Sequence, residues 1–280
     1  MEFDAQVGLS AVNTYAGLML LAGIVCLLLD VVRTHRDQRP PLPPWMVPWP
    51  EALFFSWLCI AGLFLGMIST PWILDWAGGE KDDRGLLSAY AFSQTIILAV
   101  LVLGAKLRPA AFPPLESTAG FGRQIGAGLF YCLAAFPLLV IIGYLWQGVF
   151  AFWNRLGFPM DAPPQDMVTR MMASSDNVAF GLAVVVAVLL APLIEEIVFR
   201  AGLYRFMKGR FSPKFALIVS ALTFSFVHFN LYSFLPLLLL GLLLTRTYEK
   251  TGSLTTVVAM HAFFNLNTLI VLRLQPGGGG

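Results

Sequence analysis

NVAFGLAVVVAVLLAPLIEEIVFRAGLY, residues 177–204, is the stretch on which the fold of this chain turns. Past Asn177 its only charged residues are Glu195, Glu196 and Arg200, and the rest is apolar up to the closing Tyr204. A run of this length suits an α-helix rising ~1.5 Å per residue through a hydrocarbon core about 30 Å thick. Ionisable side chains inside such a run are expensive, so they mark a functional site by default.

Working outward, comparable windows lie near Leu9–Val32, Glu51–Leu74, Leu86–Lys106 and Ile125–Phe152 before this stretch. Lys214–Phe229, Tyr232–Tyr248 and Ser253–Leu272 follow it, with the sixth and seventh windows short and closely joined. Of 280 residues, 58% are hydrophobic and only 12% charged, and the mean hydropathy is +0.75. These values lie outside the range of soluble domains and require an integral membrane protein. The expected fold class is all-α, a polytopic transmembrane helical bundle of about eight spanning helices. Residues 1–176 would form an N-terminal transmembrane region of about four helices, 177–273 a second helical core that holds the intramembrane Glu and His residues, and 274–280 a disordered tail ending in four glycines. No internal repeat is evident.

The loops alternate in charge. Arg33, Arg36 and Arg39 follow the first span, Lys106, Arg108 and Arg123 the third, Arg205, Lys208, Arg210 and Lys214 the fifth, and Arg246 and Lys250 the seventh. The positive-inside rule places these loops in the cytoplasm and both termini outside. The intervening loops carry Glu80, Asp82 and Asp83, or Asp161, Asp166 and Asp176. A net charge of +2, with no basic run interleaved with aromatics, gives no basis for nucleic-acid binding. Cys26, Cys59 and Cys132 lack CxxC spacing and indicate neither a disulfide framework nor a cysteine metal site. The acidic start Met1-Glu2-Phe3-Asp4 is unlike a secretory signal, so the first span is expected to remain as an anchor.

The Pro-rich cytoplasmic linker at 40–50 reads as a stiff, extended connector whose Trp45 and Trp49 suit the membrane interface. Residues 159–177 mix Asp161, Asp166, Arg170 and Asp176 with Met167, Met171 and Met172. That segment reads either as an amphipathic piece along the membrane that gates a site or as an ordinary loop.

On a helix Glu196 and Arg200 share a face at i and i+4 and can pair, which lowers the cost of burying either. Glu195 points about 100° away and has no basic residue at i+3 or i+4, so it is turned toward a neighbouring helix. Phe224 and His228 are one turn apart on the sixth span, as are His261 and Asn265 on the eighth. Any of these groups alone could be an interhelical hydrogen bonder fixing helix packing. Depth argues for more. At ~1.5 Å per residue, Glu195 lies about 14 Å from the cytoplasmic end of its span, His228 about 21 Å from Lys214, and His261 and Asn265 about 12 to 18 Å from Ser253. All four can share one layer inside the membrane. His35, the third histidine, sits in a basic loop and reads as solvated.

In order along the chain, Glu195-Glu196 with Arg200, Phe224 with His228, and His261 with Asn265 resemble the EExxxR, FxxxH and HxxxN/B signatures of the CAAX prenyl protease and bacteriocin-processing family, also called the Abi or type II CAAX protease family of intramembrane endopeptidases. The resemblance covers roughly Val178 to Val271. It implies that Glu195 and His228 activate a water that attacks a peptide carbonyl, and that His261 and Asn265 donate hydrogen bonds to the oxyanion, with Glu196, Arg200 and Phe224 in support. Members are often labelled metalloproteases. One Glu and two His, here Glu195, His228 and His261, could fill three zinc positions, but HExxH is absent and a metal-free glutamate mechanism is favoured. The implied partners are a peptide or protein substrate at the membrane, including prenylated or leader-bearing ones, and the bilayer itself. The implied location is a prokaryotic inner membrane. Two other classes remain: a transporter or channel using the same Glu and His groups as a proton or cation relay, and a noncatalytic immunity or scaffold protein.

Overall fold

The computed structural model describes residues 2–34, 41–76, 83–113, 119–158 and 176–274. Among them there is no strand. The helices are α1 (Glu2–Thr34), α2 (Trp49–Trp76), α3 (Asp83–Leu107), α4 (Phe121–Arg155), α5 (Asn177–Lys208), α6 (Pro213–Phe226), α7 (Leu231–Thr251) and α8 (Leu254–Leu274). Seven of these are long and apolar enough to cross a membrane, which makes the chain a multi-pass membrane protein with a polytopic helical bundle.

α6 is the exception, and it corrects the expected sixth span. Ser212 caps its start by accepting from the Phe215 N–H, with Pro213 at the first helical position. It then runs only 14 residues. At ~1.5 Å per residue that is about 21 Å, short of a hydrocarbon core of ~30 Å. The chain turns at Phe229, whose φ is +47°, and Asn230 caps α7 by accepting from the Ser233 N–H. α6 and α7 therefore form a hairpin whose tip carries the half-buried His228. α7 is longer than the expected Tyr232–Tyr248 and ends on Gly252, in the left-handed region at φ 64°.

α2 packs on α3, α1 and α8 both pack on α4, and α7 packs on α6 and α4. α4 and α8 approach closely because Gly128 has no side chain: a Cβ there would lie 2.5 Å from the Ala259 Cβ and 2.8 Å from the Thr256 carbonyl oxygen. Small residues at such crossings replace the hydrophobic drive that a lipid solvent does not supply. Leu18, Ile60 and Trp72 are among the apolar side chains that face outward.

The basic helix ends gather at one end of the bundle. Lys250 reaches Asp30 at 2.7 Å, Arg108 reaches Glu51 at 2.8 Å, and Lys208 pairs with Glu249. The Pro-rich segment lies at the same end and differs from the expected interfacial connector. Prolines present carbonyls but no N–H, so such a segment needs outside donors. Arg205 donates to the Pro43 carbonyl at 2.9 Å, Lys208 to Leu42 at 2.7 Å and Arg210 to Val47 at 2.6 Å. Leu42 and Trp45 are buried, and Trp45 packs with Phe55, Ile97, Leu101 and Ile194 while Trp49 stays exposed. The segment is thus a strap bound to the helix that carries Glu195, and Trp45 belongs to the core.

The three cysteines are free. His35, the 159–175 segment and residues 275–280 lie outside the described residues; Leu274, expected in the tail, is the last residue of α8.

Candidate active site

α5 changes winding twice. Val185–Leu190 and Ile197–Tyr204 are π-helical, with i→i+5 bonding, and flank the α-helical Ala191–Glu196. The first change has a cause in the sequence. The Ala191 N–H bonds the Val186 carbonyl, so in this register the Ala187 carbonyl faces residue 192, a proline without an N–H. Asn265 of α8 fills the gap, its Nδ2 donating to the Ala187 oxygen at 2.6 Å. An amide nitrogen carries two hydrogens, so Asn265 retains a second donor.

Glu196 and Arg200 pair as their i, i+4 spacing predicts, at 2.9 Å, and both are fully buried. The Glu196 oxygen that accepts from Arg200, Oε1, also accepts from Nδ1 of His261 at 2.8 Å. A second Arg200 nitrogen lies 3.5 Å from the Gly241 carbonyl of α7, and its guanidinium stands over the Phe224 ring at 4.4 Å. One buried ion pair thereby links α5, α6, α7 and α8. A buried charge is tolerated only with this kind of hydrogen-bonded company.

Glu195 points elsewhere. Its side chain is 25% exposed, against 0% for Glu196, and its Oε2 lies 3.8 Å from Nε2 of His261, too far for a hydrogen bond. That oxygen is itself buried and has no hydrogen-bond partner among the described residues. His261 therefore stands between the two glutamates, its Nδ1 committed to Glu196 and its Nε2 turned to Glu195.

His228 sits just past the end of α6, where the last helical carbonyls lack N–H partners. Its Nδ1 lies 2.7 Å from the Phe224 carbonyl. A carbonyl only accepts, so Nδ1 carries the hydrogen, and Nε2 of the neutral ring keeps its lone pair. The fully buried Phe224 ring is the hub, with centroids 4.9 Å from His228, 5.7 Å from His261 and 5.5 Å from Phe199, all edge to face. The structure thus brings six of the seven predicted residues into one contact network around Phe224, with Asn265 one turn below His261 on α8.

The family model for the type II CAAX prenyl endopeptidase Rce1-like proteins matches residues 177–267, the segment holding all seven of these residues. The chain is 31% identical over 137 residues to the UPF0177 protein YbdI of Lactococcus lactis, covering 47% of this chain and 71% of that one. The chain belongs to the type II CAAX protease family. It is also 22% identical over 221 residues to a Bacillus subtilis protein named "Putative membrane peptidase YdiL", covering 76% of this chain and 85% of that one. No solved structure matches it.

For a type II CAAX protease, the question of a metal is one of donor geometry. Among the described residues, no three His, Cys, Asp or Glu side chains are grouped to hold an ion. Both Nδ1 atoms are committed, to Glu196 and to the Phe224 carbonyl, which leaves each Nε2 open. The set Glu195, His228 and His261 is not gathered into such a group in this arrangement.

Sequence reasoning missed two members of the site. Gly241 supplies the carbonyl facing Arg200, and a Cβ on it would lie 3.1 Å from the Ala221 Cα and 3.2 Å from the Phe224 Cδ1. Its signal was a lone glycine inside the leucine run 237–244. Pro192 creates the orphan carbonyl that Asn265 serves, and it stands three residues before Glu195.

Proposed function

We propose that this chain is an intramembrane endopeptidase that hydrolyses a peptide bond using a water activated by Glu195 and His228. The observation that carries the reading is Oε2 of Glu195, unpartnered like that of Glu196 but on a side chain that is 25% exposed, 3.8 Å from Nε2 of His261, whose ring packs on Phe224 as that of His228 does. A carboxylate oxygen in that position can take the proton of a water as it attacks the carbonyl. His228, with its Nδ1–H held by the Phe224 carbonyl, offers Nε2 as the second acceptor.

The oxyanion that forms meets the second N–H of Asn265, and the Nε2–H of His261 when that ring is an imidazolium held by Glu196. Donors fixed before the reaction cost nothing to reorganise and act strongly where water is scarce. The protonated Glu195 then returns its proton to the leaving amine as the C–N bond breaks. Glu196 and Arg200 hold the set in register, and the 177–273 region is the catalytic core. Substrates are peptides or proteins at the membrane, with prenylated or leader-bearing ones the classes to test first. The basic end of the bundle faces the cytoplasm of a bacterial inner membrane, with both termini outside.

The test needs no prior substrate. Protein termini are compared by mass spectrometry in membranes of cells expressing the native chain or Glu195→Gln at equal abundance. New termini that require Glu195 support the reading and reveal the cleavage rule. Their absence, with both proteins folded, would sink it.

A further inference from the structure

A second site lies apart from the glutamate and histidine layer, at the basic end of the bundle. α1, α4 and the α7–α8 turn enclose a cavity of about 530 Å³. Three cations from three helices line it, Arg33, Arg123 and Lys250, against one carboxylate, Asp30. Two of the cations are held in place by their neighbours. Lys250 is fixed by Asp30 at 2.7 Å and by the Tyr131 ring at 5.6 Å, and the Arg33 guanidinium stands over Phe130 at 5.0 Å.

Ala127 and Phe130, three residues apart on one face of α4, add an apolar wall beside these cations. A cavity that joins three cations, set against one carboxylate, with an apolar wall matches an amphiphile with an anionic head. Arginine favours phosphate because its planar fork can donate two parallel hydrogen bonds. Basic pockets between transmembrane helices at the positive side of a membrane are suited to phosphate headgroups.

We infer that this cavity binds a phosphate group, and that its apolar wall selects the phosphate of an anionic phospholipid over the free ion. The site is independent of the catalytic reading, since none of the catalytic residues lines it.

Full-length protein in detergent is titrated with dioleoyl phosphatidylglycerol, dioleoyl phosphatidylcholine or inorganic phosphate, and bound lipid is read by native mass spectrometry. Phosphatidylglycerol should be retained and phosphatidylcholine not. The double variant Arg33→Gln/Arg123→Gln should weaken retention by roughly thirtyfold, the combined effect of two basic side chains on an anionic headgroup. Arg155→Gln, at the far end of α4, should leave it unchanged. Thermal unfolding of each variant confirms that it is folded. Displacement of the lipid by millimolar phosphate, or binding of phosphate alone, would keep the anion site and overturn the lipid assignment. Equal retention of the two lipids, or no loss in the folded double variant, would overturn the site altogether.

Discussion

Nδ1 of His261 lies 2.8 Å from Oε1 of Glu196, and that same oxygen accepts from Arg200 at 2.9 Å. This contact separates the tasks of two adjacent glutamates. Glu196 spends Oε1 on two neighbours and is fully buried, with its Oε2 unpartnered among the described residues. Glu195, one residue earlier, also has an unpartnered Oε2, but its side chain is 25% exposed and outside the ion pair. Adjacent residues on an α-turn differ by about 100° in direction, and here that angle divides a structural anchor from a reactive group.

The first consequence concerns catalysis. Glu195→Gln and His228→Ala should each lower kcat of peptide cleavage by roughly 10²–10⁴, the range of a positioned acid or base. Neither side chain joins the Glu196–Arg200 pair, so thermal unfolding of the purified variants should stay close to the parent. An unfolded Glu195→Gln protein would contradict the division of tasks.

The buried pair should behave in the opposite way. Arg200→Met leaves Glu196 charged in an apolar core with only His261 to oppose it, a loss of about 3–5 kcal/mol. Adding Glu196→Gln should recover part of that stability, because the uncompensated charge is gone. Chemical unfolding in detergent reads both variants, and failure of the second change to recover anything would refute the account.

Asn265 has two separable duties. Asn265→Ala should lower kcat by roughly 10²–10³ with little change in KM, the signature of a lost oxyanion donor. It also orphans the Ala187 carbonyl, at a cost of about 1–3 kcal/mol. Pro192→Ala restores an N–H at the position that this carbonyl faces. In the Asn265→Ala background it should return stability without returning turnover.

Gly241→Ala tests the hub. The added methyl would sit 3.1 Å from the Ala221 Cα and 3.2 Å from the Phe224 ring. Overpacking of this kind costs about 1–3 kcal/mol, and displacement of Phe224 shifts the ring that both histidines lean on. A kcat that falls more than the stability change alone explains is the expected result, measured on protein shown to be folded.

One acid-sensitive clamp joins the start of α3 to Asp176, which lies just outside α5. Arg84 pairs with Asp176, which also caps α5 by accepting from the Val178 N–H. The Arg84 hydrogen bond, helped by the cap, holds the Asp176 carboxyl below its usual value of 3.8. A depressed carboxylate contributes stability that is present above its unfolded pKa and disappears as the pH falls through the folded one. The unfolding midpoint should therefore be insensitive to this group from neutral pH to about 4 and drop below it. Asp176→Asn should flatten that acid limb.

Membrane residence, the helical class and the positions of the ionisable groups within the apolar runs were legible along the chain, for a common reason. Charges are so costly in an apolar run that their positions are informative without any contact map. The pairing of Glu196 with Arg200 was equally legible, because i, i+4 geometry is local. The burial of Trp45 was not, since the donors that hold the Pro-rich strap, Arg205, Lys208 and Arg210, lie more than 150 residues away.

The short reach of α6 also escaped a reading by hydropathy, because Val227 and Phe229 continue the apolar pattern while the backbone has already turned at Phe229. Which glutamate meets which nitrogen of His261 required the fold, since it depends on how α8 crosses α5 and on the π-helical turns that rotate one stretch of α5 against the next. Local periodicity sets which face of a helix a residue occupies. Only the packing of four helices around Phe224 sets what that face meets.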